Sequence, residues 1–339
     1  MPSLILSLLS LLSLLFALLH SATAVRLADF EMMEVKLGND LGVEPGQKEV
    51  NDETLKAVLD GVKVGNANSM YFYGLFKLYG ISLPKDEKSA AEMFKKAADL
   101  EHAESTTAYG MMLMHGLGVA LDAKKAVYYF RKGVKTGDMN AHWLLGKMLV
   151  EDPRAQPPAG IEQIEEEVPI PKAAMTLHNE AFELFTKAAN AGLREGQHYL
   201  ALMYEYGWGC KQDFEQAMEY YRRASGQNYW ESTYNLALMY AYGRPKQDFR
   251  KAMPLLERAA RAEHAPSIYY IGVFKMYGYG CMPDYERALN WFERAASMDD
   301  YRVSEKAAKA AAELRNLVQS AEDTNNAVLD EYAKRAEEY

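Results

Sequence analysis

Metal binding is the first chemistry to consider for the cysteines and histidines of this chain. The sequence has two cysteines, Cys210 and Cys281. After residue 24 it also has six histidines, which are His102, His115, His142, His178, His198 and His264. No two histidines show the H-x3-H or HExxH spacing of a metal site, and two cysteines cannot build a Cys-rich zinc site. The sequence therefore predicts no metal and no cofactor.

The two cysteines are expected to remain free thiols. Both occupy the position after a Gly-x-Gly turn, and they lie two sequence repeats apart. At a rise of about 10 Å per helix layer they would be far beyond the ~7 Å Cα separation that a disulfide permits. We expect two small apolar turn residues, with an intermolecular disulfide as the alternative. His102 and His264 also occupy matching positions between repeats, which predicts a structural role in a turn.

Catalytic motifs are absent from the sequence. It contains no Gly-x-Ser-x-Gly elbow, no phosphate-binding GxxxxGK[ST] loop and no dinucleotide-binding fingerprint. The Gly-x-Gly pairs are therefore interpreted as turns between helices. We expect a protein that is not an enzyme, and a hydrolase is the alternative of lowest rank.

Aromatic residues recur in two columns and form the candidate binding site. One column lies three residues before a small anchor residue, and the second lies five residues after it. The candidate residues are Tyr71, Tyr79, His115, Trp143, Tyr206, Tyr234, Tyr242, Tyr269 and Tyr277; His198 also falls in the first column, where Thr107 is the exception. Two explanations stay open: packing between neighbouring helices, or anchoring of a partner protein, because aromatic residues are frequent hot spots.

The anchor residues reveal an internal repeat. They are Gly74, Gly110, Gly146, Ala201, Ala237 and Gly272, spaced by 36, 36, 55, 36 and 35 residues. The long interval implies an insertion of about 19 residues in repeat three, because the other intervals are 35 or 36 residues. This insertion, at about 152–172, is rich in Pro and Glu. It is either a solvated loop or a further contact surface.

Each repeat is predicted to contain two helices. Glycine ends the first helix by adopting a positive φ, and an Asp caps the second helix. A glycine within a helix costs about 1 kcal/mol relative to alanine. We therefore expect a neighbouring backbone to approach the anchor glycines, facing the column Ala90, Ala126, Ala181, Ala217, Ala252 and Ala288. Hairpins of this kind must stack to bury their apolar faces, which produces an extended concave surface.

The repeat resembles the Sel1-like repeat family, which is related to tetratricopeptide repeats. Repeats four and six carry the pattern best, with Tyr204, Gly207, Gly209, Asp213, Ala217 and Tyr221, and with Gly278, Gly280, Asp284, Ala288, Trp291 and Phe292. The resemblance covers roughly residues 67–300. It implies an all-α, right-handed superhelical solenoid of about six Sel1-like helix pairs. Departures are Ser82 in place of the second glycine, the insertion, and Arg244-Pro245 in turn five.

The resemblance also implies a protein-binding adaptor or scaffold. Family members with a signal peptide include the luminal adaptor of the ubiquitin ligase in endoplasmic-reticulum-associated degradation. Its partners would be ubiquitin-ligase components or misfolded luminal proteins. This chain differs by having fewer repeats and no second long apolar run. A secreted effector or signalling adaptor is the alternative function.

The N-terminus has the features of a signal peptide. Residues 4–19 form an apolar run, and Ala22 and Ala24 match a signal-peptidase site. We expect cleavage after Ala24 and a location in the lumen of the endoplasmic reticulum or outside the cell. The formal net charge of -9 argues against nucleic-acid binding, which requires clustered Lys and Arg. No membrane span is expected after cleavage.

The predicted organisation has four parts. Residues 1–24 are the signal peptide, and 25–66 form an N-terminal cap with a helix over 52–62. Residues 67–302 contain the repeats. Residues 303–339 comprise a capping helix over 303–319 and a polar tail, which is either a further short helix or a frayed end.

Overall fold

The computed structural model describes Met33, residues 40–41, 48–151 and 172–337, without the side chains of 172–174, 302 and 321–337. The predicted signal peptide and the insertion at 152–171 lie outside the described residues. From Asp52 onward the description contains fourteen helices and no strand. The all-α repeat architecture is therefore confirmed.

The helices follow one another in the order that the repeat predicts. They are α1 (Asp52–Lys63), α2 (Ala67–Tyr79), α3 (Glu87–Asp99), α4 (Ala103–His115), α5 (Ala123–Lys135), α6 (Met139–Val150), α7 (Lys172–Asn190), α8 (Arg194–Tyr206), α9 (Phe214–Gly226), α10 (Trp230–Tyr242), α11 (Phe249–Arg261), α12 (Ala265–Tyr277), α13 (Tyr285–Ala296) and α14 (Tyr301–Glu337). The even-numbered helices α2 to α12 are the first helices of the six repeats, and α3 to α13 are the second helices. The described residues divide into two compact units, an N-terminal unit up to Asp213 and a C-terminal unit from Phe214.

Capping residues define the ends of these helices as predicted. The carboxylate of Asp86 accepts a hydrogen bond from the Ser89 amide at 3.0 Å, and Asp284 accepts one from the Arg287 amide at 3.0 Å. Asp122 and Asp248 cap α5 and α11 in the same way. Each cap provides an acceptor for an amide that has no partner within its own helix. The predicted cap is confirmed at these four helices.

The first turn glycine ends the first helix of most repeats. Gly80, for example, has φ +73° and donates its amide to the Phe76 carbonyl. Alanine would adopt this left-handed conformation only at a cost of about 1–2 kcal/mol. The predicted αL cap is confirmed at α2, α4, α8, α10 and α12.

The anchor glycines face an aromatic ring, so the predicted backbone approach at these positions is wrong. A Cβ atom on Gly272 would lie 2.7 Å from the Phe292 ring, and one on Gly110 would lie 2.7 Å from the Phe130 ring. Gly74 and Gly146 meet Phe94 and Phe185 in the same way. The missing side chain therefore makes room for a buried phenylalanine on the second helix of the repeat.

The close backbone approach occurs instead at the second turn glycine. Gly118 lies against the Glu87 carbonyl, and Gly209 lies against the His178 carbonyl. A Cβ atom on Gly280 would lie 2.9 Å from the Cβ atom of Phe249 and 3.2 Å from its carbonyl oxygen. In each of these cases the turn touches the second helix of the preceding repeat, at its first residue for Glu87 and Phe249 and at the seventh residue of α7 for His178. In repeat one Ser82 keeps a positive φ and is hydrogen-bonded to Lys48 and Val50.

Basic side chains provide a further contact between consecutive repeats. Lys132 donates to the Ala98 carbonyl at 2.5 Å, and Arg294 donates to the Ala260 carbonyl at 3.3 Å. Arg258 donates to the Ser225 carbonyl in the same register. A cation near these C-terminal carbonyls also opposes the partial negative charge of the helix end. The recurring Lys or Arg therefore caps the second helix of the repeat before it.

The flanking segments are helical. The helix predicted over 52–62 is present as α1, which Asn51 caps. The capping helix predicted over 303–319 is part of the longer α14, which continues through the polar segment as far as Glu337. No Gly or Pro interrupts this stretch, which explains its continuity. None of the described helices is both long and apolar enough to cross a membrane.

Candidate functional site

The first aromatic column is buried in the N-terminal unit. Tyr71 is 2% exposed and Trp143 is 3% exposed. The Tyr71 ring lies 5.8 Å from the Phe94 ring and 5.4 Å from the His102 ring, measured between centroids. Packing between helices accounts for both positions, because a folded partner cannot reach side chains this deeply buried.

Members of the first column pack against the residue that caps the first helix of the next repeat. Tyr71 contacts His102, the N-cap of α4, and Tyr234 contacts His264, the N-cap of α12, at a centroid distance of 5.4 Å. At the exception, Thr107 is hydrogen-bonded to the Asp138 carboxylate, which caps α6. The column therefore determines how adjacent repeats meet.

His102 and His264 have the structural role that was predicted for them. Nδ1 of His102 accepts a hydrogen bond from the Ser105 amide at 3.2 Å, and Nδ1 of His264 lies 2.9 Å from Ser267 Oγ. Burial lowers the pKa of His264 to about 4, against the opposing effect of Asp300. At neutral pH His264 is thus an uncharged residue at the N-cap position of α12, and its side chain makes no hydrogen bond to a backbone amide there.

The second aromatic column is the exposed one. Tyr206 is 50% exposed in the N-terminal unit, and Tyr242 and Tyr277 are each 59% exposed in the C-terminal unit. Tyr79 and His115 are half-buried. All five residues end the first helix of a repeat. This column therefore provides the accessible part of the predicted site.

Two repeats of the C-terminal unit bring five tyrosines together. We call this set the tyrosine surface; its members are Tyr234, Tyr242, Tyr269, Tyr270 and Tyr277. The hydroxyl oxygens of Tyr242 and Tyr270 are 3.2 Å apart. The Tyr270 ring lies 5.5 Å from the Tyr234 ring and 5.6 Å from the Tyr269 ring. Tyr234 and Tyr269 are half-buried, so Tyr242 and Tyr277 present the most accessible rings.

Tyr270 was missed by the sequence analysis. It lies two residues before the anchor, where the other repeats have Phe72, Ala108, Leu144, Tyr199 and Asn235. Because only Tyr199 shares the residue type of Tyr270 at this position, column analysis gives little signal there. Only the packing of α12 beside α10 shows that Tyr270 contacts Tyr234 of the first column and Tyr242 of the second.

The tyrosine side chains of this surface are polar and uncharged, with Arg244 near Tyr242 and Glu313 near Tyr269. Burial, followed by the hydrogen bond with Tyr270, raises the pKa of Tyr242 to about 12. Burial also raises the pKa of Tyr234 well above its ordinary value. The helices that carry the surface, α10 and α12, contain only two charged residues, Glu231 and Lys275. At neutral pH the surface therefore offers aromatic rings and neutral hydroxyl groups.

Stacked rings in the turns support the exposed tyrosines. Tyr277 stacks on Tyr279, and Tyr279 stacks on Phe249 at a centroid distance of 4.8 Å. In the N-terminal unit Tyr206 stacks on Trp208, which stacks on His178. The middle ring lies between the two turn glycines, a position that the sequence analysis treated as variable. Such stacking reduces the rotamer entropy that a tyrosine loses when it is buried by a ligand.

The cysteine predictions agree with the structure. Cys210 and Cys281 are free thiols. Their sulfur atoms lie 3.4 Å and 3.8 Å from the carbonyls of Met203 and Phe274, each seven residues earlier. Burial raises the pKa of Cys210 to about 11, and Asp213 contributes to this rise. The Cys210 thiol is therefore protonated at neutral pH and unsuited to nucleophilic attack.

Paired helices, glycine turns and Asp caps define this chain as an all-α repeat protein. The Sel1 repeat family model matches residues 67–102, 103–138, 178–193, 194–229, 230–264 and 265–300, which is more than half of the chain. The chain therefore belongs to the Sel1 repeat family. Sel1 repeat proteins are typically non-enzymatic scaffolds that bind other proteins, which supports a protein-binding role in general terms.

Solved structures support the same fold. A protective antigen with an SLR fold from uropathogenic Escherichia coli matches with a TM-score of 0.59 at 22% identity, over 70% of this chain and 47% of that chain. A Sel1 repeat protein from Oxalobacter formigenes matches with a TM-score of 0.55 at 26% identity, over 68% of this chain and 88% of that chain. The present chain thus matches about half the length of the E. coli antigen. A search of curated proteins found no match.

Proposed function

We propose that this protein is a non-enzymatic adaptor that binds another protein through the tyrosine surface of its C-terminal unit. The exposure of Tyr242 and Tyr277 on an uncharged, hydrogen-bonded aromatic face carries the proposal. Tyrosines of this kind provide large contact area and few rotatable bonds, which is why they are enriched among hot spots.

The secretory pathway is the proposed compartment. The apolar run at 4–19 and the small residues Ala22 and Ala24 support entry through a cleaved signal peptide. Within the lumen of the endoplasmic reticulum, the adaptor would bring misfolded proteins to the ubiquitin ligase of endoplasmic-reticulum-associated degradation. This finer role rests on the resemblance to luminal Sel1-like adaptors.

The binding proposal is tested by affinity purification of tagged full-length protein, followed by mass spectrometry. The double variant Tyr242→Ala/Tyr277→Ala is compared with Tyr301→Ala, which removes a tyrosine that is 47% exposed at the start of α14. Losing a hot-spot aromatic costs about 2 kcal/mol, or roughly thirtyfold in affinity. We expect the double variant to lose a partner that wild type and Tyr301→Ala retain. Equal recovery by all three proteins would reject the tyrosine surface as the binding site.

The compartment is tested separately by protease protection of microsomes and by analysis of the culture medium. A protected protein without residues 1–24, recovered together with ligase components, supports the degradation role. A processed protein found in the medium without those components favours the secreted effector. An unprocessed protein outside both compartments would refute the secretory assignment.

A further inference from the structure

The second helix of repeat two, α5, carries an unusual outward face in the N-terminal unit. Its exposed residues Lys124, Tyr128, Arg131 and Lys135 lie four, three and four positions apart, so they share one side of the helix. We call these four residues the basic stripe. In each of the other five second helices, at least one of the four corresponding positions is a glutamate. In repeats one, three, four, five and six these are, for example, Glu92, Glu183, Glu215, Glu257 and Glu286. Repeat two alone is purely basic there, in a chain of net charge -9.

The cations of α5 differ in how the fold uses them. Arg131 forms an ion pair with Glu180 of α7, and Lys125 forms one with Asp122 at 3.1 Å. Lys132 caps the end of α3 through the Ala98 carbonyl. Lys124 and Lys135 have no ion pair among the described residues, and both are exposed. They are therefore the charges that remain available at the two ends of the stripe.

Tyr128 lies between these two lysines and is held in place by other rings. It is 63% exposed, and its ring packs edge-on against Tyr129 at a centroid distance of 5.3 Å. Tyr129 in turn packs edge-on against Tyr109 of α4 at 4.7 Å. An exposed tyrosine with a supported orientation loses less entropy when a partner covers it. The fold thus presents one aromatic contact flanked by two cations.

We propose that the basic stripe is a docking site for an extended acidic segment of a second partner protein. Lys124 and Lys135 are eleven residues apart, which is about 16 Å along a helix. An extended chain covers this length in about five residues, and alternate side chains point the same way. Carboxylates at the two ends of such a segment contact Lys124 and Lys135, while a central side chain covers Tyr128.

The surroundings of the stripe favour a narrow peptide over a flat anionic membrane surface. On one side α3 presents Glu92 together with the exposed Lys88 and with Asp99, which is paired with Lys95; on the other side α7 presents Glu183 and Glu180, which is paired with Arg131. A peptide one strand wide contacts α5 alone. A membrane surface would also meet these carboxylates, and the resulting repulsion would oppose binding. The acidic segment would therefore dock at a site chemically different from the neutral tyrosine surface.

The test uses fluorescence anisotropy with a labelled peptide of alternating Glu and Ser, about twelve residues long, so that it exceeds the length of the stripe. A matched peptide of alternating Gln and Ser is the uncharged control. We expect full-length protein to bind the Glu/Ser peptide at low ionic strength, more weakly as salt is added, and not to bind the Gln/Ser peptide. Lys124→Glu/Lys135→Glu should weaken binding at least about tenfold, and Tyr128→Ala about threefold.

The control variant is Arg250→Glu/Arg261→Glu, which makes the same charge change at the corresponding exposed positions of α11. It should leave binding unchanged. The proposal is overturned if this control weakens binding as much as the α5 variant does, or if the Glu/Ser peptide does not bind at low salt. Stripe-dependent binding to phosphatidylserine vesicles without peptide binding would assign the stripe to anionic lipid instead. Because Tyr242→Ala/Tyr277→Ala should retain peptide binding, the two binding proposals fail independently.

Discussion

Repeats five and six pack their two helices with different pairs of residues at the same position. In repeat six the anchor is Gly272, and the facing residue on α13 is Phe292, which is 1% exposed. In repeat five the anchor is Ala237, and the matching residue on α11 is Leu256; both are fully buried in one apolar cluster. A larger anchor thus accompanies a smaller facing residue.

In repeats five and six the anchor and its facing residue differ together, with a large ring opposite Gly272 and the smaller Leu256 opposite Ala237. Repeat four departs from this pairing, because it has Ala201 and Tyr221 at the same two positions. Protein interiors are packed too closely to accept an extra methyl group without a shift. The size of the anchor is therefore interpretable only when its partner across the helix pair is known.

The largest expected loss of stability comes from replacing the glycine anchor of repeat six by alanine, which is the anchor residue of repeat five. Gly272→Ala puts a Cβ atom 2.7 Å from the Phe292 ring, which also packs against Tyr269 and cannot move freely. Overpacking of this kind should lower the free energy of unfolding by about 2–3 kcal/mol. Guanidinium unfolding followed by circular dichroism measures it. The reverse change in repeat five, Ala237→Gly, should cost only about 1 kcal/mol.

The double variant Gly272→Ala/Phe292→Leu reproduces the residue pair of repeat five and serves as the control. Its loss of stability should be smaller than the sum of the two single losses by about 1–2 kcal/mol, because the two side chains share one space. Additive losses would show that the two positions are independent. The pairing argument would then fail.

An effect of similar or smaller size should appear in the pH dependence of stability, because repeat six has His264 at the N-cap where repeat five has Tyr229. Burial lowers the pKa of His264 to about 4, below its ordinary value of 6.5. The unfolded state therefore binds a proton first, and stability is lost as pH falls from about 6.5 to about 4. The loss should be about 3 kcal/mol at most, because one unit of pKa shift corresponds to about 1.4 kcal/mol.

Comparing wild type with His264→Asn between pH 7 and about pH 4 isolates this contribution, because asparagine is favoured at the N-cap position and does not titrate. The difference in unfolding free energy between the two proteins should shrink toward acid pH. A constant difference across this range would show that the burial of His264 has no effect on stability.

The smallest expected loss of stability, which comes from removing an Asp cap, should be the same in repeats five and six. Asp248 and Asp284 cap α11 and α13 with carboxylate-to-amide distances of 3.1 Å and 3.0 Å. Replacement of either residue by alanine should cost about 1 kcal/mol in thermal or chemical unfolding. Nearly equal losses are expected, because the cap is local and does not depend on the residue pair. A loss confined to one repeat would mean that the caps differ in context.

The sequence predicted the local features of the fold correctly and one long-range contact incorrectly. Asp caps and αL glycines were predictable because each acts within a few residues of its own position. The contact of the anchor glycines was assigned to a backbone, whereas the structure places the rings of Phe94, Phe130, Phe185 and Phe292 there. The backbone approach occurs at Gly118, Gly209 and Gly280, which the sequence analysis had explained by turn geometry alone.

The candidate site was predictable as a set of columns but not as a surface. The position three residues before the anchor is buried in repeats one and three, as Tyr71 and Trp143. It is only half-buried in repeats five and six, as Tyr234 and Tyr269. Helical periodicity places these residues on one face without showing which face the neighbouring repeat covers. Tyr270 could not be found at all, because its role depends on the position of Tyr242 on another helix.

The sequence by itself determined the repeat, its helix pairs, the ends of those helices and the membership of the chain in a family of interaction proteins. These properties follow from residue types at fixed short spacings, where local hydrogen bonds and backbone conformation dominate. Tertiary structure alone decided which aromatic residues are buried, which rings meet the glycines and which hydroxyls join across helices. Those outcomes depend on packing between residues about 20 to 40 positions apart, and such packing is a property of stacked helix pairs rather than of any single one.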